Sequence, residues 1–464
     1  MKKLIFTPCI LFLSIFSHFS LAETEGVTSS FLRLTQSANN LSESTPSLDK
    51  GIPGVIYKPL NPESKSKIAI FVMHAAADYL SFTPCTELAK RGYTVLCANN
   101  NTQDYDQKIL AVKSGVQYLR NLEGVEKIVL FGHSGGSGLM SAYQNIAENG
   151  LKACQNKNII FPCSDELSNL SPADGLMLID PNWGDATMML LSIDPAVIDE
   201  NNGLKLDPSL NLFDEHNGFN KKGAHYSKSF IRRYQHAQAI RYNKILKFAL
   251  SREQKIKQGK GLYQDDEPLI IPGGDSQVLD NKLYPQDVSL MSHTIKPWPL
   301  IHPDESEENT LIHSVRPPMN LEGSLTGQMH QSTASTTILN YLKNFAIRVN
   351  DNFSYDETSI HGVDWSSNYS TSAGNVKGIS VPLLTMGMTG SWEYLSVETI
   401  YQNAKSSDKK IAFVDGANHL FQTCTQCEKS KGQYGDTANT LFNYIDKWIS
   451  FPGRFDKESI TFKH

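Results

Sequence analysis

The sequence predicts an α/β fold: a doubly wound, mostly parallel sheet with a large insertion before its penultimate strand. Three observations predict it. Continuous apolar runs alternate with helical patterns from residue 67 to residue 180. The alternation stops at Pro181 and resumes at Ile379. Between the third apolar run and the helix after it stands a glycine-rich turn, "GHSGGSG", residues 132–138.

The elements follow in order. "KIAIFVM" (67–73) is a continuous apolar run after Lys67, as a strand covered on both faces must be. "TPCTELAKRG" (83–92) reads as a short helix closed by Gly92, and "YTVLCA" (93–98) as a second strand. In "YDQKILAVKSGVQYLRNLE", Ile109, Val112, Val116 and Leu119 recur at helical spacing. "EKIVLFG" (126–132) is a third strand, 137–149 a helix and "DGLMLID" (174–180) a fourth strand. Strands separated by helices at this rhythm run parallel, with helices on both faces.

From Pro181 to Lys377 the chain holds one long helical pattern, "SKSFIRRYQHAQAIRYNKILKFALSREQKIK", and much Pro- and Gly-bearing loop. The strand "ISVPLLTMGM" (379–388), a helix over 396–405, the strand "KKIAFVD" and a helix over 433–449 complete the pattern. The expected division is a leader over 1–22, a core built from 23–180 and 378–464, and a cap over 181–377. An insertion at that place is expected to lie over the carboxyl edge of the sheet, where α/β folds bind ligands.

The leader is read from Lys2 and Lys3, the apolar stretch behind them and Ser20-Leu21-Ala22, a small-x-small cleavage pattern. It implies a secreted or periplasmic protein. Cys9 lies too early to be a lipid-modified first residue, and no later segment is apolar enough to span a bilayer. Of the 7 cysteines, all but Cys9 follow the leader. In an oxidising compartment an even set implies disulfides. Proximity favours Cys154–Cys163. "CTQC" (424–427) lacks a thioredoxin-like context and is read as a structural bridge. The formal charge of -5 over 464 residues gives no reason to expect nucleic acid as a partner. Oligomeric state leaves no trace in the sequence.

The turn at 132–138 carries the chemistry. Gly132-His133-Ser134-Gly135-Gly136 matches G-x-S-x-G between a strand and a helix, a context that exposes a serine on a strained turn. The Gly135 N–H, at the helix start, is expected to donate to an oxyanion. A serine hydroxyl needs a base. Among 13 histidines, His419 stands apart because it follows the last strand, in "IAFVDGANHLF". No metal-ligand spacing occurs among His225, His236, His293, His302, His313 and His330, so neither metal nor cofactor is expected.

This arrangement resembles the α/β-hydrolase superfamily over about 51–180 and 378–464, and the insertion has the position of its cap domains. The resemblance implies a second oxyanion donor in the loop Met73-His74-Ala75-Ala76-Ala77, where many relatives have His-Gly; Ala76 is the residue expected to supply it. It also implies an acid on the strand before the histidine strand. That slot falls near Ser391, and its loop holds no aspartate. Glu393 is the nearest carboxylate. The string "GMTG…ETIY…SDK…GANH" is similar to a poorly characterised bacterial branch of the superfamily, which implies Glu398 as the acid. Asp180, one strand earlier, is where some lipases place it. Glu398 is the first expectation, Glu393 the second and Asp180 the third. The expected function is cleavage of a small carboxylic ester through an acyl-enzyme on Ser134. A peptidase or another acyl-transfer enzyme would share this machinery, and a catalytically silent binding protein would share the fold.

Overall fold

The computed structural model describes residues 22–24, 26–34, 51–275, 282–319 and 332–455. The expected leader therefore lies almost wholly outside the described residues.

Eleven strands form the main sheet, with one short strand at its amino-terminal edge. They are β1 (Ala22–Thr24), β2 (Val27–Leu34), β3 (Ile52–Pro59), β4 (Ile68–His74), β5 (Thr94–Asn99), β6 (Lys127–Ser134) and β7 (Gly175–Pro181). After β8 (Pro268–Pro272), which lies outside this sheet, come β9 (His293–Ile301) and β10 (Glu307–His313). β11 (Thr333–Thr337) pairs with β8, and β12 (Arg348–Tyr355) pairs with β13 (Ile360–Asp364), as two small ribbons. β14 (Leu383–Met388) and β15 (Lys409–Val414) return to the main sheet. Its order is β1-β2-β3-β5-β4-β6-β7-β14-β15-β9-β10. All pairings from β5 to β9 are parallel. This is the doubly wound, mostly parallel sheet that the alternating runs imply.

The longer helices are α1 (Thr83–Lys90), α2 (Tyr105–Arg120), α3 (Gly135–Asn149), α4 (Asp185–Ser192), α5 (Lys228–Lys257), α6 (Ser396–Asn403) and α7 (Thr437–Ile449). Strand periodicity explains how both faces of the sheet are covered. Along β4, Ala69, Phe71 and Met73 join the core formed with α2 and α3. Ile68, Ile70 and Val72 point the other way, into the core formed with α1 and α7. Gly115 of α2 sits directly on the Phe71 ring, where a Cβ would come within 2.2 Å. The missing side chain is what lets this helix approach the sheet.

Around α4 and α5 the insertion packs into a core that it shares with Tyr394, Leu395, Val397, Ile411 and Phe413 of the 378–464 segment. Its β9–β10 hairpin leaves it and extends the main sheet beside β15, with Phe413 opposite Leu300 and Val414 opposite Ile301. The insertion is thus tied into the sheet at a second place, which apolar patterning alone does not reveal because β9 is half-exposed and holds two prolines.

Three disulfides are present: Cys85–Cys97, Cys154–Cys163 and Cys424–Cys427. The second and third are those expected from spacing, and the first joins α1 to β5. No helix among the described residues is long and apolar enough to cross a membrane.

Candidate active site

Ser134 ends β6 and caps α3 with φ 52° and ψ -131°. Such a backbone costs on the order of 1–3 kcal/mol and persists only where its surroundings enforce it. The surroundings here are glycines pressed against backbone. A Cβ on Gly132 would come within 2.7 Å of the Ser137 Cα, and one on Gly136 within 2.6 Å of the Met73 carbonyl oxygen. The turn is therefore as sharp as the G-x-S-x-G pattern requires.

A second strained residue stands beside it. Asp180 has φ 45°, is fully buried and precedes Pro181, which lies opposite Ser134 where the β6–β7 register shifts. Its Oδ1 accepts the Met388 N–H at 3.0 Å. Its Oδ2 lies 2.6 Å from His419 Nδ1. His419 arrives on the loop after β15, as expected, with its side chain 27% exposed. Burial works against a charged His419, but the hydrogen bond and charge of Asp180, with the charge of Glu393, raise its pKa above the ordinary value.

The acid-like partner of His419 is thus the third expectation, and the first two are placed elsewhere. Glu398 sits in the first turn of α6 and faces the insertion. It accepts N–H bonds from Ile295 (2.8 Å), Lys296 (3.1 Å) and the Trp298 indole (2.8 Å). These bonds fasten β9 to the core, so its carboxylate is consumed by fold rather than turned to His419. Glu393 is buried near His419 and makes no hydrogen bond to it; one of its carboxylate oxygens has no partner. Burial, reinforced by the nearby Asp180 charge, pushes its pKa up to about 7. The expected slot near Ser391 does lie beside His419. Ser391 Oγ stands 3.4 Å from His419 Nδ1, too short a side chain to do what the aspartate from β7 does.

His133, the x of the motif, makes contacts with the histidine loop that the pattern does not announce. It is buried, and its ring lies 4.5 Å from that of His419 between centroids. Its Nε2 lies 2.7 Å from the His419 carbonyl oxygen, which can only accept. Its Nδ1 must then accept, and the Tyr79 hydroxyl donates to it at 2.5 Å. Burial holds its pKa well below the usual value, with the nearby His419 charge acting the same way. The neighbour of the serine therefore grips the backbone of the histidine loop. Buried next to an apolar strand, His133 reads in sequence as an ordinary core position.

The oxyanion loop departs from expectation in one respect. The exposed Ala76 does not aim its N–H at the serine. Ala76 and Ala77 both donate to His74 Nδ1, at 2.9 and 2.7 Å. Gly135 does begin α3, and its backbone lies against the other edge of the same imidazole: a Cβ on Gly135 would stand 3.3 Å from His74 Nε2.

His133, Asp180 and His419 are the one cluster among the described residues with metal-ligating atoms in mutual reach. Both nitrogens of His133 and Nδ1 of His419 are already engaged by protein atoms, so the cluster is a hydrogen-bond chain rather than a cation site.

Neither a protein-family model nor a curated relative matches the sequence significantly. Solved structures do resemble it. An inhibited esterase B from Lactobacillus rhamnosis is 11% identical, with a TM-score of 0.39 over 92% of this chain and 90% of that one. The alpha/beta hydrolase GrgF from Penicillium sp. sh18 is 11% identical, with a TM-score of 0.38 over 90% and 97%. Est1E from Butyrivibrio proteoclasticus is 11% identical, with a TM-score of 0.36 over 87% and 95%. The parallel strand order, the helices on both faces and the strained serine turn between β6 and α3 give this chain the α/β-hydrolase fold.

Proposed function

We propose that the chain is a secreted or periplasmic serine hydrolase that cleaves a carboxylic ester. The observation that carries this is the 2.6 Å contact between His419 Nδ1 and the buried Asp180 carboxylate, at the same sheet edge as a serine held in a strained turn. The carboxylate accepts a hydrogen bond from Nδ1–H, which leaves the lone pair on Nε2. That nitrogen takes the Ser134 proton as the hydroxyl attacks the ester carbonyl, and the Asp180 charge stabilises the imidazolium that forms. The Gly135 N–H, at the head of α3, stabilises the oxyanion. His419 then passes the proton to the leaving alcohol. Water, deprotonated by His419, attacks the acyl-enzyme and frees Ser134. None of these steps calls for a cofactor. Export is supported by the three disulfides, which persist in oxidising compartments.

The experiment is hydrolysis of p-nitrophenyl esters from acetate to palmitate by the purified protein and by Ser134→Ala. The wild type should turn over at least one chain length. The variant should fold and lose several orders of magnitude in kcat. Near wild-type turnover by folded Ser134→Ala would overturn the proposal.

A further inference from the structure

Resting on the acyl-transfer chemistry above, we propose that the His74 imidazole is the second oxyanion donor, through its Nε2–H, in place of the backbone N–H groups of the loop that follows it.

The argument begins with the donors that are spent. Ala76 N–H and Ala77 N–H both converge on His74 Nδ1, at 2.9 and 2.7 Å. A ring nitrogen that accepts two N–H bonds carries no proton. The single proton of the neutral ring is then on Nε2. The loop thus fixes the tautomer of its own histidine.

The second step is where that proton points. His74 ends β4 and is 6% exposed. Nε2 and Cε1 are the atoms nearest a methyl group built on Gly135, at 3.3 and 3.4 Å, and the Asn182 amide nitrogen follows at 3.6 Å. The protonated edge of the ring therefore faces the first residue of α3, beside the serine. Nε2 has no protein partner among the described residues. That N–H is therefore free to donate to an oxygen atom placed beside Gly135.

The third step is charge. Burial, aided by the charges of His419 and Lys108, lowers the His74 pKa to about 4. The ring remains a neutral donor wherever His419 is a competent base. A neutral imidazole suits an electrophile that must stabilise an oxyanion without first surrendering a proton to it.

The test uses the full-length protein and p-nitrophenyl butyrate. His74→Asn is the informative variant, because its Oδ1 can still accept from Ala76 and Ala77 while the Nε2–H is lost. It should fall 100- to 1000-fold in kcat with KM changed less than threefold. Asn182→Leu should fall less than tenfold. Wild-type kcat in folded His74→Asn, or the larger loss in Asn182→Leu, would overturn the assignment. Nitrogen-15 NMR of the wild type gives a readout independent of any variant. The His74 proton should reside on Nε2 and move downfield when diethyl p-nitrophenyl phosphate occupies Ser134. A proton on Nδ1, or one unmoved by the adduct, would overturn it too. If the wild type neither hydrolyses the ester nor reacts with the phosphate, the acyl-transfer reading itself has failed, an outcome distinct from failure of His74 alone.

Discussion

Replacing Asp180 by asparagine separates the chemistry of this site from its architecture. The Asp180 carboxylate has one oxygen on the Met388 N–H and the other on His419 Nδ1. An asparagine keeps the first bond only by pointing its oxygen at Met388. Its NH2 group then faces His419 and demands an acceptor there. The imidazole must shift its proton from Nδ1 to Nε2, which removes the base from the serine. The expected loss is about 10⁴ in kcat, or about 5.5 kcal/mol at 1.36 kcal/mol per decade. The fold should survive, because the Met388 bond survives. Glu398→Gln should do the reverse. It turns an amide donor toward one of three N–H groups on β9 or Trp298, a cost of about 1–3 kcal/mol in stability. It should leave kcat of the folded protein within tenfold. Steady-state ester hydrolysis and thermal melts of both variants, with Glu393→Gln beside them, form the assay. If folded Glu398→Gln or Glu393→Gln loses three decades while Asp180→Asn keeps a tenth of its activity, the reasoning is refuted.

Other outcomes follow from the same geometry. Because Asp180 and Glu393 raise the His419 pKa, activity should disappear as pH falls through a value above 6.5, where the base becomes protonated; a pH profile of kcat/KM with its acid limb below 6 would contradict this. His133→Phe keeps a ring against His419 but loses the bonds to its carbonyl and to Tyr79, so kcat should fall about tenfold or more and the melting temperature should drop, by a cost of about 1–3 kcal/mol; unchanged kinetics would show that the histidine loop needs no such anchor. Alkylation of unreduced, denatured protein should modify none of Cys85, Cys97, Cys154, Cys163, Cys424 and Cys427. Opening the Cys85–Cys97 bridge should cost about 3 kcal/mol by the loop-entropy argument.

The core of the fold was legible because β4, β6 and β7 each carry a continuous apolar run and the helices between them are amphipathic. The same patterning misses β9, a half-exposed strand that finds its place only by pairing with β15. At the site, Ser134 and His419 were legible from local context: a strained turn needs glycines, and a loop after the last strand needs few residues to be recognised. The carboxylate was not. Glu398 resembles an acid in the right region, yet a first-turn glutamate also satisfies orphan N–H groups, and three of them happen to belong to a strand 100 residues away. Asp180 gave one local sign, an aspartate at the carboxyl end of an apolar strand, but its positive φ is a property of the turn into Pro181 that composition does not reveal. The His74 ring is equally silent in sequence. Its role depends on which of its nitrogens two alanine N–H groups reach.

The most direct measurement is peptide mass spectrometry of the wild-type protein after reaction with a fluorophosphonate. An activated serine labels and an ordinary one does not. The adduct should fall on Ser134 alone, form rapidly at pH 8 and slow by orders of magnitude in Asp180→Asn. No adduct on a folded wild-type protein, or an adduct on another residue with Ser134 unmodified, would contradict the claim that Ser134 is the nucleophile of this site.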